Sequence, residues 1–190
     1  HCTSIKKKRQ PLVLVGWSLG GLACLQMAVE QCSDVDALIL VSCNPCFVTH
    51  ENWQYGIEGA LFEQFGESLK KDFSATIRRF LSLQVKGSES GREILRDLRE
   101  KIMQQRQPDE SSLEAGLKIL QQTDLRDQLK KIKQPVNWLL GGQDGLVKAE
   151  LAKTLTQVTV FEKAGHAPFL SHTDLFVEQL VEIVGANLFA

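Results

Sequence analysis

Residues 11 to 18, Pro-Leu-Val-Leu-Val-Gly-Trp-Ser, form a short unbroken apolar run rich in branched side chains and interrupted at Gly16. A strand buried on both faces needs such a run. From 19 to about 31 the spacing changes, and Leu22, Leu25, Ala28, Val29 and Cys32 recur every three or four positions. That period predicts a helix with one face on a core. A second apolar run, Ala-Leu-Ile-Leu-Val, follows at 37–41. Strand, helix, strand in this order predicts a parallel crossover and a doubly wound α/β sheet.

No strand pattern occurs from 47 to about 130. Helical spacing runs over 61–83, 92–103 and 113–122, with Gly87, Gly91 and Pro108 as punctuation. A helical block between sheet strands predicts a cap over the C-terminal strand ends, where α/β proteins build their sites. The strand pattern resumes at 136–140 and leads into Gly141-Gly142-Gln143-Asp144. Another strand at 158–161 leads to Lys163-Ala164-Gly165-His166. A last helix is expected over 174–185, with Leu175, Val177, Leu180, Val181 and Val184 facing inward.

Composition narrows the function classes. The 190 residues are 43% hydrophobic and 24% charged, with a net charge of −1. No apolar run approaches the ~20 residues of a membrane span, and no charged-then-apolar leader with a cleavage site opens the chain. A nucleic-acid binder would carry a basic excess. The expectation is a monomeric cytoplasmic domain acting on a small molecule or another protein, with no nucleic acid or membrane as partner. Five cysteines, an odd number in a chain of this size, read as reduced thiols. Cys43-Asn44-Pro45-Cys46 has redox spacing but no helix opens on it, so both cysteines are expected to be small apolar fillers. No Cys/His cluster has zinc-ligand spacing, and neither a metal nor an organic cofactor is expected.

Gly16-Trp17-Ser18-Leu19-Gly20 matches G-x-S-x-G between a predicted strand and a predicted helix, the context in which that motif has a physical meaning. Its glycines let strand and helix pass closely around a strained Ser18, whose hydroxyl is pushed out above the sheet. The helix start leaves N–H groups free, and that of Leu19 would face an oxyanion. Serine needs a base, and the base needs an orienting carboxylate. Asp144 follows one later strand and His166 the next, giving the order Ser, Asp, His of an α/β hydrolase. The other histidines, His1, His50 and His172, do not follow strands. Asp124 is a rival carboxylate, but it precedes its strand and is expected at the wrong end of the sheet.

The predicted cap is basic. Between 66 and 106 ten Lys/Arg oppose six Asp/Glu, a local +4 in a chain of −1. Arg92, Arg96 and Arg99 share a helix stripe opposite Leu95, Leu98 and Ile102. This stripe is either a solvated face interleaved with acids or a docking surface for an acidic partner or phosphate.

Gly16-Trp17-Ser18-Leu19-Gly20-Gly21, Asn44-Pro45-Cys46-Phe47, Arg79-Phe80-Leu81-Ser82-Leu83-Gln84, Asp124-Leu125-Arg126, Asp144-Gly145-Leu146-Val147 and Gly165-His166-Ala167-Pro168-Phe169 together resemble the pimeloyl-acyl-carrier-protein methyl ester esterases of biotin synthesis. The resemblance runs over nearly the whole chain, cap included. It implies an α/β-hydrolase core with a helical cap, and a serine carboxylesterase acting on an ester borne by acyl carrier protein. It also implies a triad of Ser18, Asp144 and His166, with Leu19 as oxyanion donor and Trp17 and Phe80 beside the acyl chain. Arg79, Arg92 and Arg96 match carrier-binding arginines, while a fourth falls on Ala75. The implied organisation is hydrolase core over 1–46, cap over 47–130 and core again over 131–190. Family members begin with further strands and a His-Gly-Trp type loop that donates a second oxyanion hydrogen bond. The chain starts at His1 without them, so the expectation is an N-terminally truncated esterase that is inactive or aggregation-prone through the exposed strand at 12–15. Two alternatives stand beside this reading: a broad short-chain carboxylesterase of the same fold, and a partner-binding fragment without catalysis.

Overall fold

In the computed structural model, which describes residues 11–30, 34–84, 91–104 and 108–188, the four apolar runs are four parallel strands. They are β1 (Val13–Trp17), β2 (Ala37–Val41), β3 (Val136–Gly141) and β4 (Val158–Phe161), side by side in chain order. The register pairs Val15 with Ile39, Ile39 with Asn137, and Leu139 with Thr159. Alternation along each strand builds two cores. On one face, helix α1 (Leu19–Val29) lays Leu22, Leu25 and Ala28 over Leu38, Leu40, Trp138 and Leu140. On the other, Ile39, Val41, Leu139 and Phe161 meet the C-terminal helix. Every residue of β2 is buried, as a central strand between two helical layers requires.

Among the described residues, four α-helices lie between β2 and β3: α2 (Gly59–Lys71), α3 (Phe73–Gln84), α4 (Gly91–Gln104) and α5 (Glu110–Gln122). The helical pattern of 61–83 is broken at Asp72, whose backbone is extended (φ −153°, ψ 89°). Its carboxylate accepts from the Ala75 amide at 2.9 Å, so one residue ends α2 and satisfies an orphan donor of α3. The base of this insert is fastened to the core. Cys46 and Asp124 form an antiparallel bridge, and the Leu125 amide donates to the Pro45 carbonyl at 2.9 Å. The Trp53 indole donates to the Cys46 carbonyl at 2.8 Å, and Arg126 stacks over the Trp53 ring at 5.1 Å.

After β4 come a single turn, α6 (Pro168–Ser171), and a long helix, α7 (Thr173–Leu188). The inward face of α7 differs from the one expected. Phe176, Leu180, Ile183 and Val184 pack on the sheet, while Leu175, Val177 and Val181 face out. Aromatic packing sets this rotation: Phe176 lies 6.0 Å from Phe161 and 5.8 Å from Phe169, ring centre to ring centre. No helix among the described residues is long and apolar enough to cross a membrane.

Candidate active site

The strand-to-helix turn holds Ser18 at φ 54° and ψ −118°, a conformation that residues other than glycine rarely adopt. Its amide is tied to the Val41 carbonyl at 2.9 Å, which anchors the turn to β2. A Cβ on Gly16 would lie 2.6 Å from the Gly20 carbonyl oxygen and 2.7 Å from the Cys24 sulfur. One on Gly21 would lie 2.5 Å from the Cys43 sulfur. Gly20, the second glycine of the pentapeptide, has open space around it. Close approach of strand and helix therefore rests on Gly16 and Gly21, not on the pair the motif names. Leu19 opens α1, so its amide has no acceptor one turn back along the helix.

Asp144 and His166 meet after β3 and β4. The Asp144 Oδ2 and the His166 Nδ1 are 2.8 Å apart, and both side chains are almost wholly buried. The other carboxylate oxygen accepts from the amides of Leu146 at 2.8 Å and Val147 at 3.0 Å, so the turn at 144–147 fixes the carboxylate before it reaches the imidazole. Gly141 makes this meeting possible, since a side chain there would run into the carbonyls of Gly165 and Ala164. The His166 Nε2 is buried and has no hydrogen-bond partner among the described residues. It is the ring nitrogen left to exchange a proton with a reacting group. Trp17 is turned toward this histidine: its indole donates to the His166 carbonyl at 2.9 Å, and its ring lies 5.5 Å from the imidazole.

Ser18 opens on a cavity of about 450 Å³ beneath the insert. Its wall includes Phe62 and Phe65 of α2, Phe80 of α3 and Leu117 and Leu120 of α5, with Gly145 and Leu146 from the acid loop. Phe80 lines this cavity, and Phe65 faces it at 5.5 Å. Trp17 is not among the lining residues. Arg79 does line the cavity and is exposed. Arg96 is exposed on α4, and the side chain of Arg92 lies outside the described residues. Arg99 leaves the expected stripe. It is half-buried and donates to the Ser82 hydroxyl at 3.1 Å, holding α4 on α3.

The rival carboxylate is occupied elsewhere. Asp124 lies beside Cys46, downstream of β2 rather than at the opposite sheet end, and both its oxygens bind the Arg126 guanidinium at 2.9 and 2.7 Å. That pairing holds its carboxyl below the usual range. Donor atoms of Cys46, His50 and Asp124 lie within 4.8 Å of one another, a cluster that sequence spacing did not reveal. A cation there would have to displace the guanidinium from Asp124, so the group reads as part of the fastening at the insert's base. Burial pushes the thiols of Cys43 and Cys46 up, as expected of apolar fillers, and both are free. Cys2 and Cys32 lie outside the described residues, as does the basic run Lys6-Lys7-Lys8-Arg9.

A family model of the alpha/beta hydrolase fold matches residues 6–173. The pimeloyl-[acyl-carrier protein] methyl ester esterase of Pseudoalteromonas atlantica is 40% identical over 177 residues, covering 90% of this chain and 68% of that protein. The chain belongs to this esterase family of α/β hydrolases. Enzymes of the same name from Nitrosomonas europaea and Stenotrophomonas maltophilia are each 40% identical, with 67% and 70% of their lengths covered. The chain thus spans about two thirds of its esterase relatives. Among solved structures, an esterase from Exiguobacterium antarcticum superposes with a TM-score of 0.81 at 24% identity, over 90% of this chain and 66% of that one. A bromoperoxidase from Bacillus anthracis gives 0.78 at 18%. At such identities these two speak for the fold alone.

Proposed function

We propose that this esterase hydrolyses the methyl ester of a pimeloyl chain carried by acyl carrier protein, with Ser18 as nucleophile, His166 as base and Asp144 as its orienting acid. The observation that carries the reading is a strained serine that lines an apolar cavity and is linked, through the indole of the adjacent Trp17, to a buried carboxylate–imidazole pair whose outer nitrogen has no partner among the described residues. In this mechanism His166 Nε2 takes the Ser18 proton as the hydroxyl attacks the ester carbonyl. Charge builds on the carbonyl oxygen, where the Leu19 amide and the start of α1 stabilise it. The imidazolium, held by Asp144, then protonates the leaving methoxide, and methanol departs. Water enters, gives its proton to His166, and releases the acid and free Ser18. The acyl chain is read by the apolar wall including Phe80, and the acidic carrier by Arg79, Arg92 and Arg96.

The test is Ser18→Ala. Ester hydrolysis and fluorophosphonate labelling are both expected to be lost, a fall of about 10³-fold or more in turnover. Undiminished hydrolysis in the variant would overturn the assignment. Equal turnover of short-chain and carrier-borne esters by the unaltered protein would favour a broad carboxylesterase instead.

A further inference from the structure

Resting on the triad reading above, we infer that Trp17 is a positioning residue for the base: its indole holds the backbone of His166 at a set distance from Ser18. Trp17 is covalently joined to the nucleophile and lies between Gly16, locked against α1, and Ser18, locked to Val41. Its Nε1–H donates to the His166 carbonyl at 2.9 Å across 149 residues of sequence. The ring lies 5.5 Å from the imidazole at a 50° tilt and meets Phe169 edge-on at 5.3 Å. The elbow and the base loop are thus joined by this hydrogen bond, and the two tilted ring contacts lie beside it.

The Asp144 contact leaves a freedom that this hydrogen bond removes. A bond from Nδ1 to Asp144 fixes the imidazole tautomer and one edge of the ring. It does not by itself fix the distance from Nε2 to the serine, because acid and base both sit on the loops after β3 and β4, which the Gln143 amide ties together at the Ala164 carbonyl (2.8 Å), while the serine sits on the separate turn after β1. The second restraint acts on the histidine's own carbonyl and comes from the residue next to the nucleophile. Proton transfer needs heavy atoms within about 2.6–3.2 Å, and a 1 Å misplacement costs about 10²-fold, so a restraint of this kind acts on the chemical step. An indole suits this role because it is rigid and its only polar atom is a donor.

The experiment compares Trp17→Phe, which keeps a ring but removes the donor, with Phe169→Leu, which loosens the packing but leaves the donor. In Trp17→Phe, kcat on a soluble ester is expected to fall roughly 10- to 100-fold with KM changed less than about twofold, and the rate of fluorophosphonate labelling of Ser18 to fall in parallel. Phe169→Leu should change both by less than about threefold. A readout independent of turnover is the downfield proton resonance of the His166–Asp144 hydrogen bond, which should broaden or shift in Trp17→Phe and vanish in His166→Ala. A rise in KM at constant kcat would overturn the proposal, making Trp17 a wall of the substrate site. An unchanged kcat with an unchanged resonance would overturn it too. If Ser18→Ala or His166→Ala keeps full activity, the triad reading itself has failed, an outcome distinct from either result at Trp17.

Discussion

Ser18 holds its strained angle in a turn where strand and helix pass closely at Gly16 and Gly21, only the first of which the motif names. A residue with φ near +54° and ψ near −118° stores of order 1–3 kcal/mol, which surrounding packing must offset. That packing is the contact of Gly16 with Gly20, Gly21 and Cys24, and of Gly21 with the buried Cys43 side chain. Gly21→Ala would push a methyl against Cys43, which is fully buried, and should destabilise the fold by about 1–3 kcal/mol with a loss of Ser18 labelling. Gly20→Ala points into open space in the first turn of α1. Removing a glycine from a helix there should raise stability by about 0.4–1 kcal/mol with labelling retained. Denaturant unfolding paired with fluorophosphonate labelling of both variants checks the contrast. A destabilised Gly20→Ala would show that the pentapeptide's second glycine has a steric role after all.

The elements were legible wherever one period dominates. The runs at 11–18, 37–41, 136–140 and 158–161 became β1 to β4, because fully buried strands require unbroken apolar sequence. The placement of Ser18, Asp144 and His166 follows from each lying after such a strand, since the parallel sheet brings all its C-terminal ends to one edge, where Asp144 and His166 meet. What pattern could not reveal depends on contacts between distant segments. Nothing in the spacing of α7 says that Phe176 will seek Phe161 and Phe169, so Val177 and Val181 were expected inside and are outside. Sequence places Trp17 beside Ser18, but the partner of its indole is 149 residues away. The position of Asp124 before a strand predicts the wrong end of the sheet, whereas its neighbours are Cys46 and Arg126 at the base of the insert. That ion pair has a measurable consequence, since it fastens the chain leaving β2 to the chain returning from α5. Because Arg126 lowers the folded-state pKa of Asp124, the pair stabilises the fold above the ordinary carboxylate pKa, and the gain disappears as pH falls through the lowered value. With Asp124 about two-fifths exposed, solvent screening limits the effect to about 0.2–1 kcal/mol. Asp124→Asn should lower the thermal midpoint slightly at about pH 7 and leave it unchanged near pH 2. A variant whose deficit persists near pH 2 would show that the carboxylate's charge is not what fastens the insert.

Charge is distributed unevenly over the molecule as a whole, and the uneven part lies on the insert that covers the reactive serine. The segment 66–106 carries +4 in a chain of −1, so the rest is −5. Under the proposed function, an acidic carrier would be drawn to the insert and repelled elsewhere, which would orient it before contact and raise its association rate. Arg79 joins the two functions because it is exposed and also lines the cavity reached by Ser18, so a carrier docked there would deliver its acyl chain at the cavity mouth. Arg96, exposed on α4, is not among the cavity-lining residues and isolates the docking contribution. Arg96→Glu should therefore lower kcat/KM for a carrier-borne methyl ester by about 10-fold at low salt, while a small soluble ester is hydrolysed at the unaltered rate. Raising ionic strength from about 0.01 M to about 0.5 M shortens the screening length from about 30 Å to under about 5 Å. The unaltered protein should then lose most of its preference for the carrier-borne ester, and the gap between it and Arg96→Glu should close. If both esters respond alike to the charge reversal, the basic insert acts on catalysis or folding and not on the carrier. If neither responds, docking uses a surface other than α4.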